Sequence, residues 1–251
     1  IVKTISDNPK IDKSYWSEVF VNCIEPYIKT LRDVNRVINT FQFRYKILYE
    51  ETAIEDMVAL TTIEVLEPQL YQWISRNKDL LCSTYFHSFS ALYRNKSDYR
   101  TSICEELKKL GINTDIGIKF LSTLFPVFAN DIDECDYKYT ESNIRETMRV
   151  AQKERFDSYF MFDLGGIPVS RYIINTYINI LPLDDLIDTI TKINNNGNIE
   201  YFIDELKSLV DTIPEKRLGL LSSVILNVLH KFSHNSQFFM LSAYTKAEFL
   251  V

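Results

Sequence analysis

The chain predicts an all-α fold, a multi-helix bundle, on three observations. Glycine and proline are scarce among its 251 residues, at 6 and 7, whereas sheet-rich and Rossmann-like chains of this size need more turn glycines. Apolar residues recur along most of the chain at the i, i+3, i+4, i+7 spacing of one helical face. Residues that cap or break helices stand between those runs. Hydrophobic residues make up 46 % of the chain, enough to bury a real core.

Asp12 or Ser14 is suited to cap a first helix running to about Ile24, with Trp16, Val19, Phe20 and Cys23 on one face. A second helix spans about Leu31 to Tyr49, with Leu31, Val34, Val37, Ile38 and Phe41, then Tyr45 and Leu48, on its apolar stripe. A third begins near Ile54 and runs to about Asn77. Pro68 lies inside it, and a proline removes a backbone donor and clashes with the preceding turn, so a break is expected at Glu67–Pro68. Residues 78–95 are aromatic and poorly delimited, with helix the expected state.

Asp98 reads as the N-cap of YRTSICEELKKL, and Gly111 as the residue just past its end. Thr114 or Asp115 opens IGIKFLSTLFPVFA, and the acidic run Asp131–Asp136 reads as a loop. Thr140 and Asn143 are expected to start a helix through about Gln152. RFDSYFMFDLGGIPVS, from Arg155, has aromatics in near alternation and then Gly165, Gly166 and Pro168, the texture of a short irregular piece. Ser170 is placed to cap RYIINTYINIL. LDDLIDTITKIN, IEYFIDELKSLVDT, EKRLGLLSSVILNVLHKF and a last amphipathic run, about Phe238 to Leu250, complete the expected helices. No 34- or 40-residue repeat marks a solenoid.

Composition narrows the function classes. The net charge of −6 argues against nucleic-acid binding as the main activity, because neutralising phosphates needs an excess of Lys and Arg. Cys23, Cys82, Cys104 and Cys135 are widely spaced with no C-x-x-C, as expected of reduced thiols in a cytosolic protein. No apolar run approaches the length of a membrane span. The 15 Tyr and 16 Phe sit mostly at helical spacing beside Leu and Ile and read first as packing residues.

Few side chains qualify for chemistry. His230 and His234 stand at i and i+4, a metal-ligand spacing, but no third or fourth ligand accompanies them in sequence. A histidine at a helix C-terminus facing the macrodipole is the plainer reading. His87 lies in the aromatic segment and reads as a packed ring. Asp131, Asp133, Glu134 and Asp136 fail the calcium-loop pattern, because Asp136 falls where glycine is needed. Gly165–Gly166 is no phosphate loop, and the chain holds no G-x-x-x-x-G-K-[ST]. No Ser-His-Asp or Cys-His arrangement can be nominated.

The wording of Thr30–Phe41, TLRDVNRVINTF, is more distinctive. It resembles the helix that opens the lid after the nucleotide-binding core of KAP-type P-loop NTPases, with its pattern T-x-R-D-[IV]-x-R-[FLV]-[IL]-N. Asp56, Met57 and Val58, then Glu67, Pro68, Leu70, Tyr71 and Ile74, match the elements that follow in that family. Phe156, Tyr159, Phe160, Ile167 and Ser170 match a later aromatic stretch, whose expected job is to plug an aromatic cluster into the core. The resemblance covers about Trp16 to Leu229. It implies a lid-like helical subdomain over residues 1–78, a helical C-terminal domain over residues 79–251, and a sensor-like role for Arg32 or Arg36 toward a γ-phosphate, whereas their spacing alone reads as a pair of surface arginines bonded to Asp33 or to a neighbouring helix.

The same resemblance implies that this chain is not itself catalytic. ATP and Mg²⁺ belong to a parent protein whose NTPase core lies upstream, as the start IVKTISDN, without Met or signal pattern, also suggests. The expected function is regulatory: a lid that closes over nucleotide and a helical arm that couples to a protein partner. A cytoplasmic bacterial protein is implied, with the parent membrane-associated in members that carry a spanning pair, and phage defence is a role found in the family. Two other classes compete. One is a free-standing helical interaction module with an exposed aromatic groove. The other is nucleic-acid binding through Lys108, Lys109, Arg145, Arg149, Lys153 and Arg155.

Overall fold

The computed structural model describes residues 11–82, 96–132, 144, 147–161, 169–210 and 213–231. Among them are thirteen α-helices and no strand, so the fold is all-α. The chain divides into two compact units, residues 1–164 and 165–251.

Helix α1 (Lys13–Val19) begins where the Asp12 carboxylate accepts the amides of Ser14 and Tyr15, and it runs into one π-helical turn, Phe20–Ile24. Its buried residues are Tyr15, Val19, Cys23 and Ile24, while Phe20 is exposed. This corrects the expected face. Tyr15 reaches inward to bond Asp56, which makes the ladder Tyr15–Val19–Cys23 the inner side.

Helix α2 (Leu31–Leu48) opens on a capping box between Thr30 and Asp33. Val37, Phe41, Tyr45 and Leu48 are buried, but the first turn is not, and Leu31 is 76 % exposed. Helix α3 (Ile54–Leu66) is buried on nearly every side. Such a helix belongs to a core and not to a surface. Its Thr61 and Thr62 hydroxyls are satisfied internally, donating to the carbonyls of Met57 and Val58. The break falls where expected: Glu67 leaves helical geometry at φ −138° and ψ 64°, and Pro68 becomes the first residue of α4 (Pro68–Arg76). The short α5 (Lys78–Cys82) follows.

Helix α6 (Lys96–Lys109) starts two residues before Asp98, which therefore lies in the first turn and is not the cap. A carboxylate there still favours the helix through its dipole. The helix ends as expected. Gly111 takes φ +76° and the Ile112 amide bonds back to the Leu107 carbonyl at 3.0 Å, the closing bond of a Schellman motif. Asn113 caps α7 (Thr114–Leu124) through the amides of Asp115 and Ile116. The single helix expected beyond it is two, because Pro126 cannot donate and Phe125 turns out of helix to start α8 (Pro126–Asp131).

The helix expected to end at Gln152 is also corrected. Residues 147–151 are turns, and Met148 takes φ +58°. The Arg149 side chain, the Val150 amide and the Met148 carbonyl bond to distant residues, while the Arg149 amide bonds back to the Ile144 carbonyl. A four-residue helix, α9 (Lys153–Phe156), and a 3₁₀ turn, Asp157–Phe160, complete unit one. As expected, Phe156 and Tyr159 are buried; the Phe156 ring lies 6.2 Å from Phe125 and 4.9 Å from Phe160, and Phe160 lies 5.3 Å from Tyr71.

Unit two holds α10 (Arg171–Ile180), α11 (Leu183–Asn195), α12 (Ile199–Leu209) and α13 (Glu215–Val228), the last ending in a 3₁₀ turn, Leu229–Lys231. Ser170 immediately precedes α10 and its carbonyl accepts the first helical amide, that of Ile174. Ile174, Ile178, Leu186, Ile190, Phe202, Leu206, Leu221 and Val224 form its core. Arg217 donates to the carbonyls of Ile178 and Leu181 at 2.6 and 2.7 Å, closing the end of α10. The expected helix at Phe238–Leu250, with Ile167, Gly165 and Gly166, lies outside the described residues. Among those described, no helix is long and apolar enough to cross a membrane.

Candidate functional site

Among the described residues three arginines are buried in unit one, and each meets a carboxylate carried by the α2–α3 hairpin. Arg149 donates through Nε to both oxygens of Asp56 at 3.1 Å. Arg155 donates to the Glu51 carboxylate and to the Glu51 carbonyl, both at 3.2 Å. Arg44, inside α2, pairs with Glu64 on α3 and donates to the Tyr71 hydroxyl at 3.0 Å and to the Tyr159 carbonyl. A charge leaves water at a high cost unless it is paired and hydrogen-bonded. Each guanidinium here has both a carboxylate and a further acceptor, which suits the planar fork of arginine.

Asp56 is the most heavily engaged of the acids. It is fully enclosed and also accepts the Tyr15 hydroxyl and, at 2.7 Å, the Val150 amide. The Arg149 guanidinium lies 3.3 Å from the centre of the Tyr15 ring, a stacked cation–π contact. Burial pushes the Tyr15 hydroxyl well above its ordinary range; Arg149 opposes that rise and Asp56 adds to it. Beside it, Glu55 accepts the Asp12 amide at 2.9 Å, and burial raises its carboxyl.

Tyr159 makes the second junction. Its hydroxyl donates to the Met148 carbonyl and accepts the Ala53 amide, each at 2.7 Å. Burial raises this hydroxyl too. Residues 147–160 thus lie across the hairpin as a strap, tied by Arg149, Val150, Arg155 and Tyr159. At its outer edge Lys153 pairs with Asp79 at 2.7 Å and Lys78 with Asp157. With Tyr15, Asp56 and Arg149 all enclosed, the cluster fixes backbone position and register.

Arg32 and Arg36 stand elsewhere, exposed on the first turns of α2, one turn apart as their spacing requires. Arg36 donates to the Val65 carbonyl near the end of α3 at 3.1 Å. Asp33 is occupied by the cap: the Thr30 hydroxyl, ahead of the Lys29 and Thr30 amides and Arg36, holds its carboxyl below the usual range. Neither arginine joins the clasp. The proposed basic surface is corrected, because Arg149 and Arg155 are buried in ion pairs and Lys153 is paired.

No group of His, Cys, Asp and Glu among the described residues could hold a metal ion. His230 lies in the 3₁₀ turn after α13; His234, His87, Arg145, Cys135 and the acids at 133, 134 and 136 lie outside the described residues. Sequence reasoning missed the clasp, although it left a trace. Arg44 sits three residues after Phe41 and four before Leu48, a core position on the apolar face. A charge there announces a buried partner. Comparison of the chain with family models, curated proteins and solved structures finds no match.

Proposed function

We propose that this chain is the regulatory helical region of a KAP-type P-loop NTPase, with a lid-like part that meets nucleotide in a separate core and downstream helices that couple to a protein partner. The observation that carries the reading is how α2 is mounted. Its C-terminal half is locked into the core by Phe41, Arg44, Tyr45 and Leu48, while at its other end Leu31 and Arg32 are exposed and Arg36, also exposed, donates to the Val65 carbonyl at 3.1 Å. A helix anchored at one end and exposed at the other suits a lever that meets another surface. Two guanidinium groups on one face suit a phosphate oxygen or a carboxylate.

Only those two arginines of this chain are assigned toward ATP. Magnesium is assigned to the core, whose phosphate-binding loop and acidic ligands would hold it. Closure requires two arrangements of the lid, with nucleotide favouring one of them. The reading frame upstream of Ile1 tests the proposal. A G-x-x-x-x-G-K-[ST] in frame supports it, and a start codon immediately before Ile1 overturns it. Calorimetry of the isolated chain with ATP and Mg²⁺ is expected to give no measurable heat of binding; tight binding would move the nucleotide site into this chain.

A second reading, a free-standing helical interaction module, draws on the exposed Phe43, 64 % accessible on α2, and on Phe20 and Val21. A stable complex with a protein partner that lacks any NTPase core would favour it.

A further inference from the structure

We propose that residues 147–160 are a strap that opens from the α2–α3 hairpin as one unit while the rest of unit one stays folded, and that Gln152 sets how often it opens. The device stands independently of any nucleotide. It begins with how the strap is held. Between Thr147 and Gln152 no helix forms, and two main-chain groups bond outward to the hairpin, the Val150 amide to Asp56 and the Met148 carbonyl to the Ala53 amide, while the Tyr159 hydroxyl ties Met148 within the strap. A segment held this way loses its bonds together when it lifts, which is the behaviour of a cooperative local unit.

Three features work against the closed position. Met148 sits at φ +58°, where a side chain crowds the following carbonyl. The anchors Arg149–Asp56 and Arg155–Glu51 are buried ion pairs, whose attraction is largely offset by desolvation. Gln152 is only 5 % exposed, and neither its side-chain nitrogen nor its oxygen has a hydrogen-bond partner among the described residues. Lifting the strap hydrates that amide and frees the Met148 backbone. Against opening stand the buried Val150, Ala151, Phe156 and Tyr159, so the closed form predominates. Natural chains keep such local conflicts where two states are used.

Native-state hydrogen exchange on the full chain, at urea concentrations below unfolding, tests this. The amides of Arg149, Val150, Gln152, Arg155 and Phe156 are expected to exchange with one common opening, at least about tenfold faster than the α3 amides of Leu60 to Ile63. The Ala53 amide is the diagnostic one. It belongs to the hairpin, but both its acceptors are in the strap, so it should exchange with the strap. Gln152→Leu removes the stranded amide and should slow the whole set, Ala53 included, by about tenfold or more, leaving the α3 rates unchanged. Gln152→Met, which keeps an unbranched side chain, should act in the same direction. Strap amides that exchange only with global unfolding, or independently of one another, overturn the proposal. So does an unchanged or faster strap in both Gln152 variants.

Discussion

Replacing Asp56 by leucine strands three groups at once: the Arg149 guanidinium, the Tyr15 hydroxyl and the Val150 amide. Breaking a buried ion pair by removing one partner costs about 3–5 kcal/mol, a large share of the ~5–15 kcal/mol that holds an ordinary domain. Arg149→Met should cost less, since Asp56 keeps the Tyr15 hydroxyl and the Val150 amide. The triple variant Tyr15→Phe/Asp56→Leu/Arg149→Met removes all three side chains together and leaves the Val150 amide and the more distant Thr123 carbonyl without them, so its cost falls to about 1–3 kcal/mol. Three substitutions should therefore do less damage than the single Asp56→Leu. Urea unfolding followed by tryptophan fluorescence reads this directly, because Trp16 and Trp73 are the only tryptophans and both lie in unit one. The midpoint should shift at constant m. Costs below about 1 kcal/mol for both singles, or a triple variant that costs their sum, would refute the coupling.

Other perturbations have equally definite signs. Glu55→Gln keeps the acceptor for the Asp12 amide but removes a charge disfavoured by burial. The folded carboxyl is raised above the unfolded one, so the folded state holds more protons between the two pKa values and stability falls as pH rises through that window. The variant should therefore be the more stable at neutral pH, and its advantage should vanish below the ordinary glutamate range near about pH 4 in pH-dependent urea melts. Gly111→Ala places a side chain at φ +76° and should lower stability by about 1 kcal/mol in the same melts. At Gly117 an added Cβ would lie 3.1 Å from Leu107 and 3.2 Å from Ile112. Gly117→Val should accordingly cost about 1–3 kcal/mol, read as a loss in thermal midpoint.

Helices with their own caps and their own apolar stripe were legible in the sequence. The break at Pro68, the turn at Gly111 and the start of α10 after Ser170 are local signals, and local signals survive into the fold. Two of the failures share one cause. Residues 147–151 carry enough helix-compatible side chains to suggest a helix, but Arg149 and the Val150 amide are drawn to Asp56, about ninety positions away. Phe20 falls on the exposed side of α1 because Tyr15 turns inward to bond that same aspartate, a contact no neighbouring residue signals. Long-range polar contacts override periodicity, and no window of neighbouring residues contains them. Pro126 is different: it carried the same signal as Pro68 and its break was readable. Of the site, the exposure and one-turn spacing of Arg32 and Arg36 follow from the α2 pattern, whereas the arginine clasp was visible only as a misplaced charge at Arg44.

The central claim is that the exposed arginines of α2 work on nucleotide held by a core outside this chain. ATP turnover by the full-length protein tests it most directly, comparing wild type with Arg32→Ala and Arg36→Ala after each variant is shown to unfold at the wild-type urea midpoint. The account predicts that at least one variant loses turnover by about tenfold or more, in the direction of the 10³–10⁵ attributed to an arginine that reaches the transferring phosphoryl group. Wild-type turnover in both variants, with folding intact, would contradict it.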